Sequence, residues 1–275
     1  MTPAGGSPGV LRVAAAQAAS VSGDVPANVA TAVRLVELAG SQGVRVLLLP
    51  EAFLTGYDEA AFSGPLPDAD SLQDAWLDPL RAAAAASGLV VVAGTALRRG
   101  DRRTLSLVVV APDGHTLAAY DKQHVDADEL PWFTAGSGGS SLVVDGVELG
   151  LAVCYDSSFP EHARAAADDG AVGYLCSAAF FPGSAHRRDL ALPARALDNG
   201  MYVVLAAATG TCGAASFIGG SAVFDPEGRP LASLGAEEGL AIADLDPAVV
   251  AQTRTERRMH AERLPGPGPR ARHSA

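Results

Sequence analysis

Cysteine is scarce. Cys154, Cys176 and Cys212 are the only three in 275 residues, and they stand far apart with no Cys-x-x-Cys pair. That spacing supports neither a disulfide framework nor a zinc site, so no metal is expected. Long apolar runs are missing as well, and no segment reaches the roughly 20 residues a membrane-spanning helix needs. Met1–Gly9 is rich in Pro and Gly and carries neither a basic start nor an apolar centre, so no secretory leader is expected. Basic clusters are absent outside the C-terminal tail. With Lys+Arg 20 against Asp+Glu 31, the formal net charge is −11, which argues against a nucleic-acid partner and fits a role in solubility. Internal repeats and long linkers are missing too. Together these absences predict a soluble cytoplasmic protein with no membrane contact, built as one domain over residues 10–264 between flexible tails at 1–9 and 265–275.

What is present suits a large core, since 48% of the residues are hydrophobic. Val10–Gln17, Val44–Leu49, Leu89–Ala96, Leu105–Ala111, His115–Tyr120, Val172–Ser177 and Met201–Ala208 read as strands. So do Gly220–Phe224, Pro230–Leu234 and Leu240–Leu245. Asp24 and Pro26 open a helix whose Val29, Val33 and Val36 recur at helical spacing. Ser71 and Asp74 read as a capping box before an alanine-rich helix that Pro79 should break or kink. Arg188–Asp198 is a further helix, stopped at Asn199-Gly200, and a last one follows Pro247. The alternation of helices with buried strands, interrupted by hairpins, indicates an α/β fold with mixed sheets.

One stretch concentrates the signals. Leu142–Val144 and Val147–Val153 flank Asp145-Gly146, a strong hairpin turn. Cys154 falls where the second strand ends, and Phe159-Pro160-Glu161 opens a helix that Gly170 stops. A helix N-terminus nearby favours a thiolate. Set against this, a lone cysteine in an apolar run is usually core filling. Three other residues share its placement after a strand: Glu51 after Val44–Leu49, Lys122 after His115–Tyr120, and Glu129 in the loop beyond. Taken singly, these read as a first-turn acid, a surface lysine and a solvated loop acid. Brought together, they would supply a base, an oxyanion stabiliser and a nucleophile.

Six segments in order resemble the carbon–nitrogen hydrolase (nitrilase) superfamily over roughly Val10 to Val250. Leu48-Leu49-Pro50-Glu51 with Thr55-Gly56-Tyr57 resembles the block of the catalytic glutamate. Tyr120-Asp121-Lys122-Gln123-His124 resembles the lysine block. Glu129, with Phe133 before Gly136, resembles the segment of a second glutamate. Gly150 to Asp156, ending at Phe159-Pro160-Glu161, resembles the nucleophile block. Ala194–Asn199 and Gly219-Gly220-Ser221 with Asp225-Pro226 complete the set. The resemblance implies a four-layer α-β-β-α sandwich with two mixed sheets and a site at one end of them. It also implies that Cys154 attacks, Glu51 serves as base and then acid, Lys122 and the Tyr155 N–H hold the oxyanion, and Glu129 orients the reactants. The chemistry implied is cysteine-dependent cleavage of a small amide to an acid and ammonia through a thioester, with no cofactor.

Several readings stay open at this stage. A nitrilase or an N-carbamoyl amidohydrolase would use the same fold. A Cys–His thiol hydrolase would pair Cys154 with His124, His162 or His186, and a non-catalytic binding protein would use none of them. Tyr57, Trp132, Phe133, Tyr155, Phe180 and Phe181 are candidate pocket walls for a substrate that is expected to be neutral unless Arg187 or Arg188 folds inward. Cys176 reads as a strand filler and Cys212 as a loop residue. The resemblance further implies a homodimer or higher homo-oligomer packed through the helices after the cysteine and before Met201. Ala163–Ala167 is small and apolar enough for close helix packing there, and the same run would also suit an intramolecular contact.

Overall fold

The computed structural model describes residues 9–264, 266 and 268–273. The tail expected at 1–9 therefore falls outside the described residues except for Gly9, and so do Pro265, Pro267, Ser274 and Ala275 of the C-terminal tail.

Two six-stranded mixed sheets form the centre. The first contains β1 (Leu11–Gln17), β2 (Val46–Leu48), β3 (Val90–Arg99), β4 (Arg102–Val110) and β5 (Thr116–Asp121) side by side. The second contains β6 (Ser141–Val144), β7 (Val147–Val153), β8 (Gly173–Ala178) and β9 (Tyr202–Ala207). A small hairpin, β10 (Thr209–Cys212) with β11 (Ala215–Ile218), leads to β12 (Ala222–Phe224) and β13 (Pro230–Ser233), which extend the second sheet beyond β9. The chain then returns to the first sheet as β14 (Gly239–Leu245), antiparallel to β1. Parallel pairs β1–β2, β2–β3, β7–β8 and β8–β9 occupy the middle of the sheets.

The continuous apolar runs follow from the layering, because each central strand is covered on both faces. In β1, Val13 and Ala15 meet Leu149, Leu151 and Val204 of the opposite sheet, while Ala14 and Ala16 face outward onto helix α1 (Val25–Ser41). A short helix α2 (Glu59–Ser63) follows β2, and α3 (Asp78–Ser87) packs beside α1. In β8, Leu175 points between the sheets, whereas Tyr174 and Cys176 face α4 (Pro160–Asp168) and α5 (Ala185–Asn199) through Ala163, Leu192 and Ala196. The result is α1/α3, sheet, sheet, α4/α5, with α6 (Pro247–Glu256) following β14.

Local expectations hold in several places. Asp145 and Gly146 take φ of 51° and 81°, as a two-residue hairpin with both central residues left-handed requires. Gly200 closes α5 in the left-handed conformation. Others are corrected. Pro79 neither breaks nor kinks a helix: α3 starts at Asp78, so the proline sits in its first turn, where its missing N–H costs nothing. Ser71 and Asp74 belong to 3₁₀ turns preceding it. Cys212 lies at the end of strand β10 rather than in a loop, and it is buried. In the Ala163–Ala167 run, Ala163 is buried and Ala166 abuts Gly150 so closely that a Cβ there would meet it at 2.5 Å, while Ala165 is exposed.

Candidate active site

The four chemistry-bearing residues come together at one end of both sheets. Glu51 follows β2, Lys122 follows β5, Glu129 lies in the next loop, and Cys154 follows β7. The two sheets are tied at this point by Ser177 of β8, whose hydroxyl donates to the Leu49 carbonyl at 2.8 Å.

Lys122 is the hub. Its Nζ donates to Glu51 Oε1 at 2.8 Å and to both Glu129 oxygens at 2.7 Å. Lys122 and Glu51 are each 1% exposed and Glu129 is 2% exposed, so Lys122 is no surface lysine and Glu129 no solvated loop acid. Glu129 also accepts from the Tyr57 hydroxyl at 2.5 Å and from the Asp126 N–H at 2.8 Å. Its lone pairs are thereby committed, which fixes its orientation. Glu51 differs, because its second oxygen, Oε2, is buried with no hydrogen-bond partner among the described residues. A buried acceptor left open is costly in a purely structural role and useful in a site that must receive a proton.

Electrostatics separate the roles further. Burial, opposed by Lys122 and reinforced by Glu129, pushes the Glu51 pKa up to about 7. Burial also works against the Lys122 ammonium, yet the charges of Glu51, Cys154 and Glu129 outweigh it and hold the pKa above the ordinary lysine value. For Cys154, burial and then the Glu51 charge raise the thiol pKa well above its usual value, with Lys122 opposing. Burial and the Glu51 charge thus work against the thiolate that a nearby helix N-terminus favours. The first turn of α4 begins six residues on, at Pro160, and a 3₁₀ turn, Cys154–Ser158, intervenes.

Cys154 adopts φ = +43°, a left-handed conformation costing a non-glycine residue of the order of 1–3 kcal/mol. The turn is braced. The Ser157 hydroxyl donates to the Cys154 carbonyl at 2.7 Å, and Asp156 accepts from the Val153 N–H at 3.0 Å. The Cys154 thiol reaches the Ala179 carbonyl at 3.5 Å. Among the described residues no histidine is hydrogen-bonded to Cys154. His124 and His162 bond to Asp156 and to Tyr120 and Tyr174, and His186 is exposed on α5.

A cavity of about 540 Å³ opens over Lys122, Glu129 and Cys154. Tyr57, Trp132, Tyr155, Phe180 and Phe181 line it, as the sequence suggested. Phe133 does not: it is buried behind the wall, edge-on to Phe62 with ring centroids 4.9 Å apart. Phe62 lines the cavity instead, and only a helical reading of Glu59–Ser63 could have found it. Arg187 also lines the cavity, while Arg188 turns away to donate to the Gly219 carbonyl and pair with Asp189. Among the described residues, no group of three or more His, Cys, Asp or Glu is disposed to hold a metal ion, and no helix is long and apolar enough to cross a membrane.

The carbon–nitrogen hydrolase family model matches residues 12–255. The chain is 33% identical over 210 residues to a 2-oxoglutaramate amidase of Bacillus subtilis, covering 75% of this chain and 80% of the relative. It is 33% identical over 230 residues to a nitrilase of Pyrococcus abyssi, covering 80% and 83%. Among solved structures it is similar to an amidase of Nesterenkonia sp. AN1 from the nitrilase superfamily, with a TM-score of 0.79, 30% identity, and coverage of 91% of this chain and 97% of that one. One variant of that amidase was solved with the acetamide moiety of fluoroacetamide added covalently to its active-site cysteine.

Proposed function

The chain belongs to the carbon–nitrogen hydrolase family, and we propose that it is an amidase that converts a small amide to a carboxylic acid and ammonia through Cys154. One observation carries the reading: a buried lysine bridges two buried carboxylates beside a cysteine at a cavity with aromatic walls. Only Glu51, of the two carboxylates, keeps an oxygen free.

Each step follows from that division. Glu51 takes the Cys154 proton as the sulfur attacks the carbonyl carbon, a transfer favoured by a carboxylate whose pKa stands near 7. Negative charge develops on the carbonyl oxygen, where the Lys122 ammonium and the Tyr155 N–H stabilise it. Glu51 returns the proton to the nitrogen, the C–N bond breaks, ammonia leaves and a thioester remains. Glu51 then takes a proton from water, whose oxygen attacks the thioester carbon. The C–S bond breaks, the acid departs and the thiol regains its proton. Glu129, its oxygens held by Lys122, Tyr57 and Asp126, keeps the ammonium aimed at the reacting carbon.

The amidase relatives and the acetamide adduct on the neighbour's cysteine support an amide over a nitrile. The nitrilase relative keeps the nitrile as a second reading. Ammonia release from one acyl group presented as amide and as nitrile separates them, and faster release from the nitrile would overturn the amide assignment.

The oligomer belongs to the same reading. On α5, Leu190 is 60% exposed and Leu197 is 46% exposed, two turns apart on one face of the helix. This apolar stripe supports a homodimer or higher homo-oligomer through the α4/α5 layer. Light scattering showing a monomer at micromolar concentration would sink it.

A further inference from the structure

Asp156 is 0% exposed, and the proposed chemistry gives it no part. Its carboxylate accepts four hydrogen bonds. Oδ2 takes the Tyr120 hydroxyl at 2.7 Å and the Val153 N–H at 3.0 Å. Oδ1 takes the His124 N–H at 2.9 Å and His124 Nδ1 at 2.9 Å. An ionised carboxylate offers about four acceptor positions, and all are used here.

The identity of the donors matters more than their number. The Val153 N–H belongs to the residue before Cys154, and the His124 N–H lies two residues after Lys122. One side chain thus joins the main chain at the nucleophile, on the second sheet, to the main chain at the lysine, on the first. The assembly is anchored on its far side. Since the single Tyr120 hydroxyl hydrogen goes to Asp156, Tyr120 accepts from His162 Nε2 at 2.9 Å. His162 Nδ1 is then free to accept from the Tyr174 hydroxyl at 2.8 Å. Burial lowers the His162 pKa, which suits this neutral tautomer. The His124 ring stacks on Phe159 at the end of the nucleophile turn, with centroids 3.8 Å apart and planes 15° apart.

We infer that Asp156 is a positioning residue that sets the register between Cys154 and Lys122, holding the strained nucleophile turn and the lysine loop as one unit. The inference deepens the amidase reading and rests on its assignment of Cys154 and Lys122. An asparagine in place of Asp156 cannot serve four donors, because its amide nitrogen would confront the two that share whichever oxygen it replaces. The two loops would then lose a shared anchor while the cavity walls stay in place. A displacement of about 1 Å is enough to cost on the order of 100-fold in rate.

The experiment compares wild type with Asp156→Asn, Tyr120→Phe and the double variant. It reads melting temperature, kcat and KM on the preferred amide, and the rate of Cys154 alkylation by iodoacetamide, followed by peptide mass. Expected are a kcat loss of about 100-fold for Asp156→Asn with little change in KM, a smaller kcat loss for Tyr120→Phe, and no further loss in the double variant. The Cys154 alkylation rate should change in the same order. Asp156→Asn that is folded, with kcat and alkylation within about twofold of wild type, would reduce the network to a fold staple and overturn the inference. If Asp156→Asn does not fold, Tyr120→Phe decides alone: a lowered melting temperature with unchanged kcat and alkylation overturns it. The alkylation arm needs no substrate. Absence of amidase activity in wild type would therefore defeat the functional reading and leave the register still under test.

Discussion

Gly94 of β3 passes so close to Pro50 that a Cβ on it would stand 2.2 Å from the Pro50 carbonyl oxygen and 2.7 Å from the Glu51 Cα. Only glycine lets the elbow that presents Glu51 lie against the neighbouring strand. The obstructing atoms are main chain and cannot swing away. Gly94→Ala should therefore displace Glu51, with a stability loss of about 1–3 kcal/mol and a disproportionate fall in kcat. Thermal melting alongside steady-state kinetics checks this, and an alanine variant with wild-type kcat would show that the elbow tolerates the shift.

The layered fold was legible because doubly covered strands write themselves as continuous apolar runs, as in Val147–Val153. The hairpin at Asp145-Gly146 and the helix stop at Gly200 were legible because each needs left-handed backbone that few residues supply. What escaped depends on contacts between distant segments. The 3₁₀ turn at Cys154 is held by Asp156 and Ser157, and nothing in its five residues encodes a helix by periodicity. Phe133 and Phe62 exchange places as pocket wall because a five-residue helix is too short to show a stripe. The upward pull on the Cys154 pKa also escaped, since burial and the Glu51 charge are properties of the assembled site.

A pH dependence follows from Glu51. A base must be deprotonated to act, and its pKa stands at about 7 rather than the ordinary 4.5. Activity as kcat/KM should rise with pH through about 7, and Glu51→Gln should abolish turnover at every pH. The sign for stability is opposite. A raised folded-state pKa means that this group favours folding most below about 4.5, with the contribution lost as pH rises through about 7. A rate profile rising instead through the ordinary glutamate range would remove Glu51 as the titrating base.

Backbone strain at Cys154 makes its substitutions informative. Both Cys154→Ala and Cys154→Gly should abolish ammonia release. They should differ in stability, because alanine inherits the left-handed φ of +43° and glycine does not resist it. Glycine should be the more stable of the two by the order of 1 kcal/mol. Retained turnover in either variant would exclude Cys154 as nucleophile, and an alanine variant more stable than the glycine one would show that the turn is unstrained.

Lys122→Gln removes the ammonium from between two buried carboxylates. Because that charge acts chiefly on the developing oxyanion, kcat should fall by about 100- to 1,000-fold with a smaller change in KM. Stability should fall as well, by about 3–5 kcal/mol, since Glu51 and Glu129 lose their shared partner in a buried site. Restoring the charge geometry by also replacing Glu129 with glutamine should recover part of the stability and none of the rate. A variant in which KM alone rises would reassign Lys122 to substrate binding.

Arg187 bears on the charge proposed for the acyl group. Ser157 and Ser158 offer no cation, and the aromatic walls of the cavity suit a neutral amide, yet Arg187 lines it too. This arginine is an exposed residue in the first turn of α5. Asp58, Glu59, Asp126 and Asp128 also line the cavity, and a substrate carboxylate would have to overcome them to gain from Arg187. With Glu129 the lining holds five acids against two cations, Lys122 and Arg187, and Lys122 is already paired with Glu51 and Glu129, so the balance favours the neutral amide. The test offers one acyl chain with and without a terminal carboxylate to wild type and to Arg187→Gln. The neutral amide should be the better substrate of wild type by at least about 10-fold in kcat/KM, a preference that needs about 1.4 kcal/mol, and Arg187→Gln should leave its turnover nearly unchanged. A preference for the carboxylated amide that disappears in Arg187→Gln would instead make this arginine the carboxylate clamp, for which a planar bidentate donor is well suited.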